Sequence, residues 1–480
     1  MLITIIELLV VLLALYLGSR YGSLALGAIA GLGLAILVFD HGLKPGTPPT
    51  NVIYIIVAAV TCAGILQASG GMDWLIQIAE KLLRRHPRQI TFFAPICTFF
   101  LTVLVGTGHV MYTLMPIIAD VSLKKGIRPE RPCAIASVAS MIAIVCSPIS
   151  AAVVAFSTIS ALNGFHITIP QIVMVTIPSC LAGVLVAAAW SSRRGLDLDK
   201  DPEFQARIAT QAGRDYVYGK TETTLNKTIT PKAKRAVYIF LGTIVLIVIL
   251  ACLHNFLPAF DTVRAIDGAK DVLLPTGKTV TPEKLAGAGI VMAGITEKVP
   301  KPIDMYLVIQ IILITSAALM IIFCDAKPKS AVAGNVWQSG MVAVVAIYGI
   351  AWLANTFFGA HMDNIKELLG TMVSEYRWTI ALMFFIFSVL INSQAAVLVS
   401  LLPVAYGLGI PGWVLLGVLP CAYGYFFIPN YPTDIATVNM DRSGTTKIGK
   451  FVLNHSFMVP GLICVAVSTL VCYLLASIFF

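Results

Sequence analysis

The chain has 480 residues, 58% of them apolar and 12% charged, with a mean hydropathy of +0.88 and a net charge of +9. Soluble domains carry about 25% charged residues, so this composition excludes an ordinary soluble enzyme, a disordered chain, a collagen-like chain and a disulfide scaffold. The long apolar runs also exclude a transmembrane barrel, whose segments are short and alternating, and leave an all-α polytopic membrane protein.

Lys, Arg, Asp and Glu cut the chain into ten apolar blocks, at 1–19, 21–39, 45–72, 89–119, 132–192, 236–260, 305–324, 331–362, 378–433 and 451–480. A spanning helix needs about 20 residues, so most blocks hold one. Met1–Gly18 lacks a basic n-region and an A-x-A site and reads as a retained first helix, not a cleaved signal peptide. Block 89–119 is too long for one span and too short for two. It fits a re-entrant hairpin turning at Gly106-Thr107-Gly108. Block 132–192 holds two spans divided near Asn163–Pro170. Block 378–433 opens with a second hairpin, turning at Asn392-Ser393-Gln394, followed by a span.

Two polar segments interrupt the apolar pattern. Residues 193–235 carry ten Lys and Arg against six Asp and Glu and read as a cytoplasmic linker. Residues 254–304 carry six of each and read as an external insertion, either a linker or a small ordered cap. The ten cysteines lie in apolar stretches with no CxxC pair and read as small core residues, so no metal and no cofactor is expected. Basic residues at membrane-helix ends report orientation and do not point to nucleic acid.

The chain repeats itself. Residues 71–116 and 361–403 each begin with an amphipathic stretch containing Met-Asp, then pass through an apolar helix, a polar tip and an apolar return ending at Pro116 or Pro403. Each is followed by a Pro-centred polar break, at Ser147-Pro148-Ile149-Ser150 and at Asn430-Tyr431-Pro432-Thr433-Asp434. The charges at matching places differ. The first amphipathic stretch carries Lys81, Arg84, Arg85 and Arg88, whereas the second sets Lys366 and Arg377 against Asp363, Glu367 and Glu375. The copies therefore face opposite sides, an inverted repeat of the kind found in secondary transporters. With both termini outside, 24 of the 33 Lys and Arg fall on the cytoplasmic side. The expected units are first-repeat scaffold helices (1–70), the first arm, hairpin and broken helix (71–192), the linker (193–235), second-repeat scaffold helices (236–360) and the second arm, hairpin and broken helix (361–480).

Non-helical backbone at membrane depth must be buried in protein or line a wet cavity. The two tips and two breaks create helix N-termini whose free N–H groups attract anions. Together they form one candidate midplane site for an anion with two carboxylates. The first tip offers Gly106, Thr107, Gly108 and His109, and the second Asn392, Ser393 and Gln394. The breaks offer Ser147, Pro148 and Ser150, then Tyr431, Pro432 and Thr433. Each feature also has a plain structural reading, as a small-residue packing site for the first tip and as Pro kinks for the breaks. His109 fits three roles: carboxylate ligand, proton carrier or donor to a nearby carbonyl. Asp434 would repel an anionic substrate. It suits a cation or proton site, with Asn392 as a second candidate for the cation, or else a helix cap. Glu7 and Asp120 lie nearer helix ends and read as structural.

These residues resemble the anaerobic C4-dicarboxylate transporter family (Dcu A/B type), within the ion transporter superfamily. The matching stretches include LQASGGMDWLIQIAEKLLRRHPR (66–88), GTGHVMYTLMPII (106–118), SPISAAVV (147–154), NSQAA (392–396) and YPTDIATVNMDRSGTTKIGKFVLNHSF (431–457). The resemblance implies an inner-membrane carrier exchanging fumarate, succinate, malate or aspartate during anaerobic growth. It also implies a scaffold, a moving transport domain, elevator-type alternating access and a homodimer. Segment 254–304 is longer than the corresponding family connection. Rival readings are a Na⁺- or H⁺-coupled carrier of dicarboxylates or another carboxylate such as citrate, and a dicarboxylate-binding membrane sensor partner. No HExxH or GxSxG supports an enzyme, and no repeated charged filter supports a channel.

Overall fold

The computed structural model describes residues 2–480 apart from 22–23, 49, 220–223, 254–255, 267–271, 274–278, 288–289, 293, 376–377, 430 and 450–453. It is mostly helical, with a few short strands confined to residues 259–302 among the described residues. Seven helices are long and apolar enough to cross a membrane among the described residues, or eight if one bent pair is counted as a span. The fold is that of an all-α polytopic membrane protein.

The first repeat opens with α1 (Leu2–Tyr21), α2 (Ala25–Ala35, closed by a π turn at Ile36–Asp40) and α3 (Thr50–Ala68). Gly70 then adopts a left-handed backbone, φ +79°, which glycine reaches without steric cost. The chain bends by 72° there into α4 (Gly71–Arg85). This helix buries Leu75, Ile76, Ala79 and Leu83 and leaves Lys81 and Arg85 exposed. The hairpin is α5 (Ile90–Val105) and α6 (Met111–Lys124). α7 (Glu130–Ile142) and α8 (Ala151–Leu162) are the two halves of a broken helix, and α9 (Ile169–Ser191) completes the repeat. Its start is fixed by a capping box, in which the Thr168 amide donates to Gln171 Oε1 at 2.9 Å.

The basic segment folds against the body. α10 (Pro202–Arg207) and α11 (Gln211–Tyr218) bring Leu198, Phe204 and Val217 together with Leu123 in a small second core. Arg128 is its electrostatic centre. Its Nε donates to Glu130 Oε2 at 2.7 Å and its other arm reaches Asp201. Glu130 Oε1 accepts from Ser456 Oγ at 2.7 Å and faces Arg194 at 3.2 Å. The Glu130 amide donates to Thr445 Oγ1 at 3.0 Å, and that hydroxyl donates to Asp441. This strap therefore ties the two repeats together at one end.

α12 (Pro231–Cys252) starts on a Thr230 cap and leads to the outer insertion. There β1 (Ala259–Ala265) pairs antiparallel with β4 (Thr296–Pro302), register Ala259↔Pro302 to Ala265↔Thr296. Between them lie a two-residue ladder of β2 (Val272–Leu273) and β3 (Thr279–Val280), and α13 (Pro282–Gly287). The described part of the insertion is thus an ordered cap. The second repeat then runs α14 (Met305–Cys324), α15 (Pro328–Ala333) and α16 (Asn335–Glu375), followed by the hairpin α17 (Thr379–Ile391) and α18 (Gln394–Gly407). A second broken helix, α19 (Gly412–Gly417) and α20 (Pro432–Met440), precedes α21 (Met458–Phe479).

The second arm departs from the expected pattern. The sequence repeat predicts a separate amphipathic helix from residue 361, but α16 runs unbroken for 41 residues. Gly359 keeps a helical backbone, and no left-handed residue lies at the point that matches Gly70. His361 is fastened instead. Glu7, buried in α1, receives His361 Nε2 at 2.5 Å and His41 Nδ1 at 3.2 Å. Asp120 faces Lys124 at 2.8 Å and Arg84 at 3.6 Å.

Candidate functional site: a cavity between two hairpin tips

Both hairpins turn on a left-handed residue. Gly106 has φ +80° and its amide donates to Thr102 O at 2.8 Å, closing α5. Asn392 has φ +54° and its amide donates to Ser388 O at 3.3 Å, closing α17. Asn is among the few non-glycine residues that tolerate this conformation. Ser393 then caps α18 by accepting from the Ala396 amide at 3.4 Å.

The two tips meet at one cavity of about 440 Å³. Gly106, Thr107 and Gly108 line it from one side, and Asn392, Ser393 and Gln394 from the other. The breaks contribute Ile149, Ala151 and Ala152, then Tyr425, Tyr431 and Pro432. The start of α8, the start of α18, the start of α20 and the turn leading into α6 therefore all border the same space. Each supplies amide N–H groups without an intrahelical partner and the positive end of a helix dipole. Among the described residues no Lys or Arg lines the cavity.

The predicted residues divide into those at the cavity and those behind it. Gly106, Thr107, Gly108, Asn392, Ser393, Gln394, Tyr431 and Pro432 line it. Ser147, Ser150 and Thr433 are buried and do not. The Ser147 and Ser150 hydroxyls are committed to backbone, accepting from the Ile149 and Val153 amides at 3.4 and 3.2 Å. The first break thus presents the helix start to the cavity, not its hydroxyls. Pro148 lines a separate apolar cavity beside α9 and α12. The side chain of His109 and all of Asn430 lie outside the described residues. Asp434 sits in the first turn of α20, fully buried, where its Oδ1 accepts from Ser137 Oγ of α7 at 2.9 Å. That bond joins the two broken helices across the pseudo-symmetry.

Several residues behind the cavity carry no signal in the repeat. Gln394 Nε2 donates to the Met141 carbonyl at 2.8 Å, which holds the second tip against α7 of the first repeat. Ser140 Oγ donates to the Gly108 carbonyl at 2.9 Å, which holds the first tip on the same helix. A Cβ on Gly108 would stand 1.9 Å from Met141 Cε. Tyr425 packs against Tyr431 with ring centroids 4.5 Å apart and the planes tilted by 40°. The far wall is made of Leu26, Ile56, Ala59 and Val60 with Gly340 and Ala343 of α16. Small residues three and four apart were the available signal for that wall.

The description "anaerobic c4-dicarboxylate membrane transporter" matches residues 3–480. The chain belongs to this family. It is 42% identical over 477 residues to the anaerobic C4-dicarboxylate transporter DcuB of Escherichia coli O6:H1, covering 99% of this chain and 98% of that one. It is 35% identical over 474 residues to the C4-dicarboxylate transporter DcuA of Wolinella succinogenes, covering 99% of each. Among solved structures, MtrF of Neisseria gonorrhoeae aligns with 99% of this chain and 94% of its own at 14% identity and a TM-score of 0.47, a likeness too slight to carry a mechanism across. The cavity between the tips borders helix N-termini, whose free N–H groups attract anions. Nine described cysteines are buried and free, and the described residues hold no metal-binding cluster of His, Cys, Asp and Glu.

Proposed function

We propose that the protein exchanges C4-dicarboxylates (fumarate, succinate, malate or aspartate) across the bacterial inner membrane by elevator-type alternating access. The observation that carries this reading is the convergence of both tips and both breaks on one cavity without a basic side chain. A dianion there is balanced by helix N-termini and by the Thr107, Ser393 and Asn392 side chains, each a fixed donor that needs no counter-ion. One carboxylate faces the start of each repeat's hairpin return. The expected site roles of Ser147, Pro148, Ser150 and Thr433 become support of these helix starts.

The moving body comprises α5–α9 and α17–α21. The scaffold comprises α1–α3, α12, α14 and the first part of α16, with α4 and the end of α16 as arms. The apolar far wall supports this division. A surface of Ala, Val, Ile and Gly offers no polar grip, so a substrate held by the tips can travel past it. Asp434 is the candidate cation or proton residue. A group buried behind the tips and bonded across the repeats is placed to couple occupancy to movement. The termini lie in the periplasm, and the working unit is a homodimer.

Proteoliposomes loaded with succinate, fumarate, aspartate or nothing, and offered radiolabelled fumarate, test the reading. Uptake only against an internal dicarboxylate supports exchange. Equal uptake into empty vesicles driven by Na⁺ or protons makes the protein a symporter. Binding with no movement makes it a sensor partner. In the same vesicles Asp434→Asn should abolish any dependence on pH or Na⁺, and an unchanged dependence removes Asp434 from the coupling.

A further inference from the structure

We propose that the outward face of α4 is a docking surface for the anionic headgroups of cytoplasmic-leaflet phospholipids. The argument starts at the elbow. α3 is apolar along its length and α4 leaves its end at 72°, so with α3 crossing the bilayer the 15 residues of α4, about 22 Å of helix, lie closer to the membrane plane than to its normal. The inward face is buried and apolar apart from Gln77 and Glu80, both of which are hydrogen-bonded. The outward face runs Trp74, Ile78, Lys81, Arg85 and then Arg88 in the following 3-10 turn. Spacings of four, three and four put the first four on one side, and Arg88 adds an exposed cation just beyond the helix end, where His86 breaks the helical backbone.

That stripe has two halves. Trp74 packs edge-on against Tyr238 at 5.5 Å with Lys234 over its ring at 5.7 Å, an aromatic anchor of the membrane–water boundary. Ile78 beside it is 49% exposed. Lys81, Arg85 and Arg88 are exposed, and among the described residues none of them meets an acid. The acids of the helix are used elsewhere. Asp73 faces Lys227 at 2.9 Å, and Glu80, buried, faces Arg84 at 2.8 Å and accepts from Thr224.

An apolar, aromatic start and an unneutralised basic end suit an interfacial helix whose cations meet phosphate. Charge complementarity names the occupant. Two cations on one face and a third just beyond its end, with no acid beside them, match a lipid of net negative charge better than a zwitterionic one, whose own ammonium competes for the phosphate. The second arm carries Asp363, Glu367 and Glu375 against Lys366 and Arg377 and would repel the same lipid. Only one of the two arms is therefore lipid-gripped, on the side that the balance of Lys and Arg makes cytoplasmic. The proposal does not depend on which substrate is carried.

Native mass spectrometry of the full-length protein, released from vesicles of phosphatidylethanolamine and phosphatidylglycerol, tests it. The wild type should retain phosphatidylglycerol in preference to phosphatidylethanolamine. Lys81→Gln/Arg85→Gln/Arg88→Gln should lower that retention by more than about ten-fold. Lys329→Gln, an exposed cation away from the stripe, should leave it unchanged. The single reversal Arg85→Glu provides the same comparison if the triple variant does not fold. Equal retention by wild type and stripe variants, or equal retention of the two lipids by the wild type, overturns the proposal.

Discussion

Asn392 sets the second tip with a left-handed backbone, φ +54°, and also turns its amide toward the cavity. The two roles separate by substitution. Asn392→Gly keeps the turn, so thermal stability in detergent should hold while dicarboxylate affinity falls. Asn392→Ala should lose affinity and also about 1 kcal/mol of stability, because alanine resists that backbone. Equal affinity in the glycine variant and the wild type would remove the side chain from the site. Gly108 is constrained from outside, since a Cβ there meets Met141 Cε at 1.9 Å. Gly108→Ala should slow transport, and Met141→Ala in the same chain should restore part of the rate. Glu7 stands between His361 and His41 in the buried face of α1. Glu7→Ala strips both imidazoles of their acceptor and should lower stability by ~1–3 kcal/mol, read as a fall in the thermal midpoint.

At the scale of elements, the strap joins the two repeats at one end. Asp201 caps α10 by accepting from the Glu203 and Phe204 amides at 2.9 and 3.2 Å, and it pairs with Arg128. Burial pushes its carboxyl up, but the amides and the guanidinium outweigh burial and hold it below the usual carboxylate range. A carboxylate lowered on folding contributes stability above its unfolded value and loses it as pH falls through the folded one. The difference in thermal midpoint between wild type and Asp201→Asn should therefore be constant from pH 7 to about 5 and shrink below about 4. A constant difference at all pH values would show that packing, not charge, holds the strap. The hairpins were legible in the chain because a polar triplet inside an apolar block leaves few alternatives at membrane depth. The breaks were legible because Pro148 and Pro432 recur at matching distances after the tips. The second arm was not, because a glycine permits a bend without requiring one. Gly70 takes the left-handed turn and Gly359 stays helical. The strap was equally hidden. Its charges read as a solvated linker, and only the fold brings Arg128, Glu130, Asp201 and Ser456 together.

At the scale of the molecule, the sides of the membrane proposed from the balance of Lys and Arg can be checked with single cysteines. The described native cysteines are buried, so background labelling should be low. Lys44→Cys and Phe260→Cys should react with an impermeant maleimide on intact cells, and Lys329→Cys only after permeabilisation. The reverse pattern would invert the chain. The continuity of α16 has a mechanical meaning. Forty-one residues make a rod about 60 Å long, pinned by Glu7 where the first repeat has an elbow. A tilt of about 10° at one end of a rod of that pitch displaces the other by about 10 Å. Under the proposed alternating access, the first repeat folds its arm in place, whereas the second moves its hairpin by swinging a lever. The two halves of the inverted repeat would then share a substrate while differing in how they transmit force.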